Sequence, residues 1–394
     1  MASKRILLIS RCPPYPLHLG DRLIIWHLAR ELSARGYTFD LCALTQSSAD
    51  ADDIPEYASF FDTIHLFPER QRTPLMYVQR LLGRHYPRQS NQAWQPALWH
   101  TVETLLSEND YDAIHLFGGV HVYELAYLLK DQPTVITPYE SFSLYLDREW
   151  QQHQQITTLL NRTIARQFES WMFTPYDITT VLTEQDADVL ASLDKQLTLE
   201  VIPNGIDLAD FETCNTARDD ATLLFVGNYA YPPNHDAALV LARDIFPQVQ
   251  NAFPQAKLLL VGNAPTDEMH ALASDNIIVT GRVPRVQDYL AQATVFVCPL
   301  RVGAGIKNKV LEALAMEIPT VATPLSMEGI HAQDGKHVIV ADIPSMSQAI
   351  VRLLKDASLR NRLSANSRAL IESEYSWKGV ASQYAACYER VSKN

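Results

Sequence analysis

Short apolar runs alternate with longer amphipathic stretches along almost the whole chain. Arg5 to Ser10 (RILLIS) is apolar enough for a buried strand. From about Arg22 the residues Ile25, Leu28, Ala29 and Leu32 recur at helical spacing until Gly36 closes the pattern. Thr38 to Leu44 predicts the next strand, and DAIHLF (112 to 117), TVIT (134 to 137) and ITTVL (178 to 182) predict three more. Thr183 to Asp186 reads as a helix-start cap. A second series opens after Ile202, with LLFVG (223 to 227), KLLLVG (257 to 262), IIVTG (277 to 281), VFVC (295 to 298) and TVA (320 to 322). Apolar strands separated by helix-length segments predict parallel sheets covered by helices on both faces. Two such series predict an α/β protein of two doubly wound domains facing a central cleft, joined by a linker from Pro203 to about Asp220. A last helix from about Lys378 to Arg390 carries Val380, Tyr384 and Tyr388 along one stripe.

The length of 394 residues agrees with two cores rather than one. A formal charge of -12 argues against a nucleic-acid partner, which needs a broad basic surface, and suits a cytoplasmic enzyme. Cys12, Cys42, Cys214, Cys298 and Cys387 are scattered without a CxxC pair, so neither a zinc site nor a disulfide framework is indicated. Arg11 and Pro13 cut the first apolar run short of a signal-peptide core. No window approaches the roughly 20 apolar residues of a membrane-spanning helix.

The most informative segment runs from Val295 to Thr323, VFVCPLRVGAGIKNKVLEALAMEIPTVAT. A buried strand closed by Pro299 is followed by a glycine loop and then by a helix with Val310, Leu311 and Leu314 on one face, stopped by Pro319. Gly303 and Gly305 have no side chains, so backbone amides can approach a ligand where a helix start favours an anion. Lys307 and Lys309 add full positive charge. Glu312 lies one step beyond Lys309, about 5 Å along the helix axis. A carboxylate repels phosphate but suits a hydroxyl pair such as ribose, so the order of groups fits a sugar-linked diphosphate. The plainer alternative is a surface helix with a Lys309 to Glu312 ion pair.

Other motifs carry less. Asp50-Ala51-Asp52 and Asp186-Ala187-Asp188 match a metal-binding DxD but read as solvated charge, in an acidic loop and a capped helix. His18, His27, His115 and His121 lack zinc-ligand spacing, and no GxGxxG follows the first strand. Arg70, Arg72, Arg80, Arg84 and Arg88 are interleaved with Met76, Tyr77, Leu81, Leu82 and Tyr86. That stretch suits an anionic membrane or a charged acceptor, with a solvated helix face as the alternative.

With these pieces in place the chain resembles the retaining glycosyltransferases of family 4, which have the two-domain, Rossmann-like GT-B fold and take sugars from nucleotide-sugar donors. The resemblance spans nearly the whole chain. It is carried by VIPNGID (201 to 207), LLFVGN (223 to 228), VTGRVP (279 to 284), the GAGIKNKVLEALAMEIPTVAT stretch and the closing YSW helix. It is most specific from Val201 onward, and Gly303, Gly305, Lys307, Lys309 and Glu312 are similar to a branch of the family with a GxGxKxKxxEA loop. It implies an N-terminal acceptor-side domain over 1–202, a nucleotide-sugar domain over 203–375, and a terminal helix over 376–394 that crosses back. In the resemblance, Lys309 is the main diphosphate cation, with Lys307 and Arg301 as helpers. Glu312 binds the donor ribose, Gly281, Arg282 and Val283 present backbone to the base, and Gly227 with Asn228 lies beneath the phosphates. Gly20 would face the phosphates from the first domain.

Two positions depart from the family pattern: Ala304 stands where the first of two glutamates is usual, and Asn228 where an arginine is usual. The reaction expected is front-face transfer, in which the leaving phosphate oxygen takes the acceptor proton and Lys309 stabilises the developing charge. His121 is the candidate for orienting the transferred sugar, and Glu140 for touching the acceptor. The expected partners are a nucleotide sugar and a glycan, lipid-linked or small-molecule acceptor, with no cofactor and no metal. A nucleotide-sugar epimerase of the same fold, or a non-catalytic nucleotide-binding partner, is the competing reading.

Overall fold

The computed structural model describes residues 4–17, 20–47, 49–84, 86–212, 221–303 and 305–392, so His18, Cys214 and Ala304 lie outside the described residues. Internal contacts divide the chain into two units, one of Met1–Gly205 with Trp377–Asn394, the other of Ile206–Ser376.

The first unit holds β1 (Arg5–Ser10), α1 (Gly20–Ser33), β2 (Thr38–Thr45), α2 (Ala49–Asp52), β3 (Thr63–Pro68), α3 (Pro74–Gly83) and α4 (Pro96–Glu108). It continues through β4 (Ala113–Phe117), β5 (Thr134–Tyr139), α5 (Phe142–His153), α6 (Ile156–Glu169), β6 (Ile178–Val181), α7 (Glu184–Leu193) and β7 (Leu199–Val201). Its strands pair in the order β3-β2-β1-β4-β5-β6-β7, all parallel, with Ile6 opposite Phe39 on one side and Ala113 on the other. The central strands are buried on both faces, which is why they read as unbroken apolar runs.

The second unit holds β8 (Thr222–Val226), α8 (Pro232–Val240), α9 (Phe246–Ala252), β9 (Lys257–Val261), α10 (Asp267–His270), β10 (Ile277–Val279), α11 (Gln287–Leu290) and β11 (Val295–Cys298). After these come α12 (Asn308–Ala315), β12 (Thr320–Ala322), β13 (Ile339–Val340), α13 (Ile343–Lys355) and α14 (Ala357–Glu374). Its sheet order, β10-β9-β8-β11-β12-β13, is again parallel and reverses direction between β8 and β11. Both units are thus doubly wound α/β sheets, and in such sheets ligands bind beyond the carboxyl ends of the strands where the winding reverses.

The terminal helix α15 (Trp377–Val391) packs within the first unit, against α1 and β5. Trp377 stacks on His27 at 4.5 Å and fills the space a side chain at Gly205 would need. Tyr388 reaches the buried His115 of β4, whose Nδ1 lies 2.7 Å from the phenol oxygen while Nε2 lies 2.7 Å from Thr137 Oγ1. Burial holds the His115 imidazole well below its ordinary pKa, so the ring is neutral and both nitrogens need partners.

Three expectations from sequence are corrected here. Asp50 is not solvated: it is buried in an ion pair with Arg22 at 2.8 Å and accepts from the Gln46 and Ser47 amides. Burial works to raise its pKa, but these donors outweigh it and hold the carboxylate low. Asp186 is likewise buried, accepting from the Ser141 amide at 2.8 Å and from Thr183 Oγ1 at 2.5 Å. In the arginine stretch, Arg72 lies over the Trp94 ring at 4.2 Å and Arg80 pairs with the buried Glu124 at 3.3 Å. A packed helix must turn one face inward, and here the inward face of α3 takes Arg80 with it, while Arg72, just before the helix, also packs inward.

Replacing Tyr388 with Phe leaves one nitrogen of a buried, neutral imidazole unsatisfied, and is expected to lower unfolding stability by about 1–3 kcal/mol. Urea denaturation followed through the first unit's tryptophans measures it; an unchanged midpoint would show that the bond contributes nothing.

Candidate functional site

The strongest concentration of candidates is at the carboxyl edge of the second sheet, where β8 and β11 lie side by side. The loop after β11 keeps its backbone open through two glycines, Gly303 at φ 131° and Gly305 at φ 67°, values that side-chain-bearing residues rarely adopt. Lys307 folds back into this loop, its ammonium donating to the Gly305 carbonyl, and is buried. It therefore shapes the loop rather than projecting from it. Helix α12 then starts without a side-chain cap, unlike α7, α13 and α14, which Thr183, Asp342 and Asp356 cap. An uncapped helix start leaves amides and a positive dipole end for a ligand.

Lys309 sits in the first turn of α12. Its Nζ donates to Asn234 Oδ1 at 2.5 Å and lies 4.7 Å from the centre of the Phe225 ring. It does not ion-pair with Glu312, so the plainer reading from sequence is not what the fold adopts. Burial lowers the Lys309 pKa to about 8 and raises that of Glu312 to about 7, with Lys309 acting against the second shift. The Glu312 carboxylate accepts no hydrogen bond from the described residues. A half-buried lysine and a half-buried carboxylate, one turn apart and not paired with each other, are two groups with capacity left for a ligand.

Asn234 is the residue that sequence reasoning missed. Its Oδ1 takes the Lys309 ammonium while its Nδ2 donates to the Asn228 carbonyl at 2.9 Å, so it ties the loop after β8 to α12. Pro232 and Pro233 start α8 directly before it, and a proline-led helix start just past a strand-end glycine was the available signal. Gly227 has Asn234 against it, 3.1 Å from where a Cβ would stand. Gly262 approaches the Gly227 carbonyl so closely that any Cβ there would lie 1.8 Å from the oxygen. Asn228 also accepts from the Ala230 amide at 3.2 Å, giving the loop after β8 a fixed shape.

Arg301, expected to point at the ligand, instead forms a bidentate pair with Asp236 of α8, which raises its pKa. Gly281 and Arg282 are exposed and Val283 half-buried in the loop after β10, at the same edge of the sheet. Ala304 falls between the two loop glycines and lies outside the described residues.

In the first unit the candidates occupy the carboxyl edge of the other sheet. His121 follows β4 on a short turn, its Nδ1 2.9 Å from Glu69 Oε1 and 3.2 Å from the Arg72 guanidinium. Hydrogen bonding with His121 holds the Glu69 carboxyl below its usual range, with Arg72 adding to the effect. Gly20 is the exposed first residue of α1. Asp21 behind it pairs with Arg11 at 3.0 Å, and Arg22 turns inward to Asp50 rather than outward. Arg11 also lies over the Tyr139 ring at 5.1 Å. Glu140 follows β5 and is half-buried.

Comparison with known proteins follows the same division of the chain. Residues 23–210 match the model of glycosyltransferase family 4, and residues 220–356 match that of glycosyl transferases group 1. The chain is 25% identical over 315 residues to a phosphatidyl-myo-inositol mannosyltransferase of Mycobacterium tuberculosis, covering 75% of this chain and 78% of that protein. It is 22% identical to an uncharacterized 44.6 kDa protein in the cps region of Klebsiella pneumoniae, covering 96% of this chain and 98% of that one. Among solved structures, sucrose-phosphate synthase from Thermosynechococcus elongatus superposes with a TM-score of 0.73 at 19% identity, over 98% of this chain and 99% of that one. HepE from Anabaena, solved in complex with UDP, gives a TM-score of 0.69 at 15% identity, over 98% of this chain and 100% of that one.

The Lys309 ammonium is expected to titrate near 8, well below the ordinary lysine value of about 10.4. Carbon-13 NMR of the reductively methylated protein reads this directly. Asn234→Asp, which places a carboxylate on Nζ, should move the titration upward; a Lys309 signal at the ordinary value would refute the desolvated environment.

Proposed function

Because the chain belongs to glycosyltransferase family 4 and has the GT-B fold, we infer that it moves a sugar, with retention and without a metal ion, from a nucleoside-diphosphate sugar to an acceptor hydroxyl. The process it serves is glycan or polysaccharide biosynthesis. The observation that carries this reading is the desolvated Lys309 next to an unpartnered Glu312, behind a glycine loop and an uncapped helix start. The UDP complex of HepE supports a nucleoside diphosphate as the ligand class, and the mannosyltransferase relatives support a glycolipid or other glycan acceptor.

Lys309 and the amides around Gly303 and Gly305 take the diphosphate, with Gly227 and Asn228 beneath it. Glu312 accepts hydrogen bonds from the ribose hydroxyls, a role that its position one step past the cation favours. Gly281, Arg282 and Val283 offer backbone to the base. Lys307 holds the loop in shape, and Arg301, tied to Asp236, adds charge at the rim. Gly20 is assigned to the phosphates from the first domain, His121 to a sugar hydroxyl and Glu140 to the acceptor.

The chemistry asks for no strong protein base. As the bond from the anomeric carbon to the phosphate oxygen breaks, charge builds on the leaving diphosphate, which takes the acceptor proton while the acceptor oxygen bonds to the same face of the sugar. Lys309 is the group whose interaction strengthens as that charge develops. Fixed cations and amides in a poorly solvated site supply this stabilisation with little reorganisation.

Lys309→Ala should lower turnover roughly 100-fold and weaken nucleoside-diphosphate binding. Glu312→Ala should weaken nucleoside diphosphate but leave inorganic pyrophosphate unaffected, because its partner is the ribose. Titration calorimetry with both ligands, alongside melting curves to check the fold, tests the pair; unchanged affinity in both variants removes the proposed site.

A further inference from the structure

Helix α3 has two unlike faces. Met76, Tyr77 and Leu81 pack against the core of the first unit and Arg80 is buried with them. Leu75, Val78 and Leu82 lie on the opposite side with 64%, 39% and 82% of their surface in solvent. The spacing i, i+3, i+7 places those three on one stripe. Helix α6, in contact with α3 through Tyr77 and Phe168 at 6.3 Å, leaves Ile156 and Leu160 77% and 59% exposed. Single exposed apolar residues are ordinary, but three large ones along one helical stripe mark an interaction surface, and α6, which touches α3, adds two more exposed apolar residues.

The two segments that carry this surface hold charge of one sign. In a chain of formal charge -12, residues 70–102 contain five arginines and no aspartate or glutamate, and residues 150–168 contain two arginines and again no acidic residue. Arg72 and Arg80 are used internally, and Arg162 and Arg166 pair with Asp147. Arg70, Arg84 and Arg88 remain exposed, and Arg88 lies 5.7 Å from the ring centre of Tyr127, itself exposed. An apolar stripe bordered by arginines and an aromatic ring, with carboxylates kept out of both segments, is complementary to a bilayer interface with anionic headgroups. The leucines would enter the acyl boundary while the guanidiniums stay at the phosphates.

We propose that Leu75, Val78 and Leu82 of α3, with Ile156 and Leu160 of α6, dock the protein on an anionic lipid surface. No described helix is long and apolar enough to cross a membrane, so the docking is peripheral. It differs from the arginine stripe expected from sequence, because burial of Arg72 and Arg80 leaves leucines to make the contact. The surface belongs to the first unit and Lys309 and Glu312 to the second, so loss of docking and loss of nucleotide binding are separable.

The test is flotation of the full chain with phosphatidylcholine vesicles, with and without about 30 mol % phosphatidylglycerol, at low and high salt. The protein should float with the anionic vesicles only, less at high salt. The double variant Leu75→Asp, Leu82→Asp should lose about tenfold or more in vesicle affinity. Arg84→Glu should weaken it too, while all variants keep the wild-type melting temperature and nucleoside-diphosphate affinity. Equal binding by the Leu75→Asp, Leu82→Asp variant, equal binding to neutral vesicles, or no flotation would overturn the proposal. So would a lipid-free dimer abolished by the same double variant, which would assign the face to a second copy of the chain.

Discussion

A half-buried lysine ammonium held by neutral partners at the winding reversal of the second sheet is the interaction on which the proposed site depends. Taking a cation out of water costs energy, and the fold offsets that cost with the amide oxygen of Asn234 and the face of Phe225 rather than with a carboxylate. A carboxylate partner would have satisfied the charge and left nothing for a ligand. Neutral partners hold Lys309 in place and leave its charge for a ligand, as the proposed diphosphate site requires. The same logic applies to Glu312, raised by burial and not paired with the lysine one turn before it.

The surrounding backbone is arranged to serve that charge. Gly303 and Gly305 take conformations that open the loop, Lys307 closes onto the Gly305 carbonyl, and the close approach of Gly262 to Gly227 brings two strand ends together. At Gly262 a side chain would intrude, whereas at Gly303 and Gly305 it is the backbone angle that favours glycine. The carboxyl edge of the first sheet is built differently. Arg11 with Asp21, and Arg72 with Glu69 and His121, neutralise one another there. A set of internally compensated ion pairs suits recognition of hydroxyl groups rather than of a strong anion.

The relatives share this frame at low identity, as expected when the architecture is fixed by buried strands and the chemistry by a few loops. Identity of 25% or less over most of the chain coexists with superposition of nearly all of it. Buried parallel strands tolerate exchange among apolar residues of similar volume, while loop residues set what is bound.

Much of the architecture was legible from the sequence because fully buried strands must be apolar on both faces: β1, β2, β11 and β12 stand out for that reason, as does the glycine and lysine loop between β11 and α12. The strand β3 was not read, since Thr63 to Leu66 are only partly buried and their pattern is correspondingly weak. Nor could local pattern show that Asp50 and Asp186 are buried, that Arg72 and Arg80 turn inward, or that Arg301 is taken by Asp236. In each case at least one partner, such as Arg22 for Asp50 and Ser141 for Asp186, is far away in sequence, and only packing brings it near. Asn234 is the clearest instance: the chain by itself determined that a lysine would stand at the start of α12, but the tertiary structure chose a neutral amide 75 residues earlier to hold it, and so left its charge available.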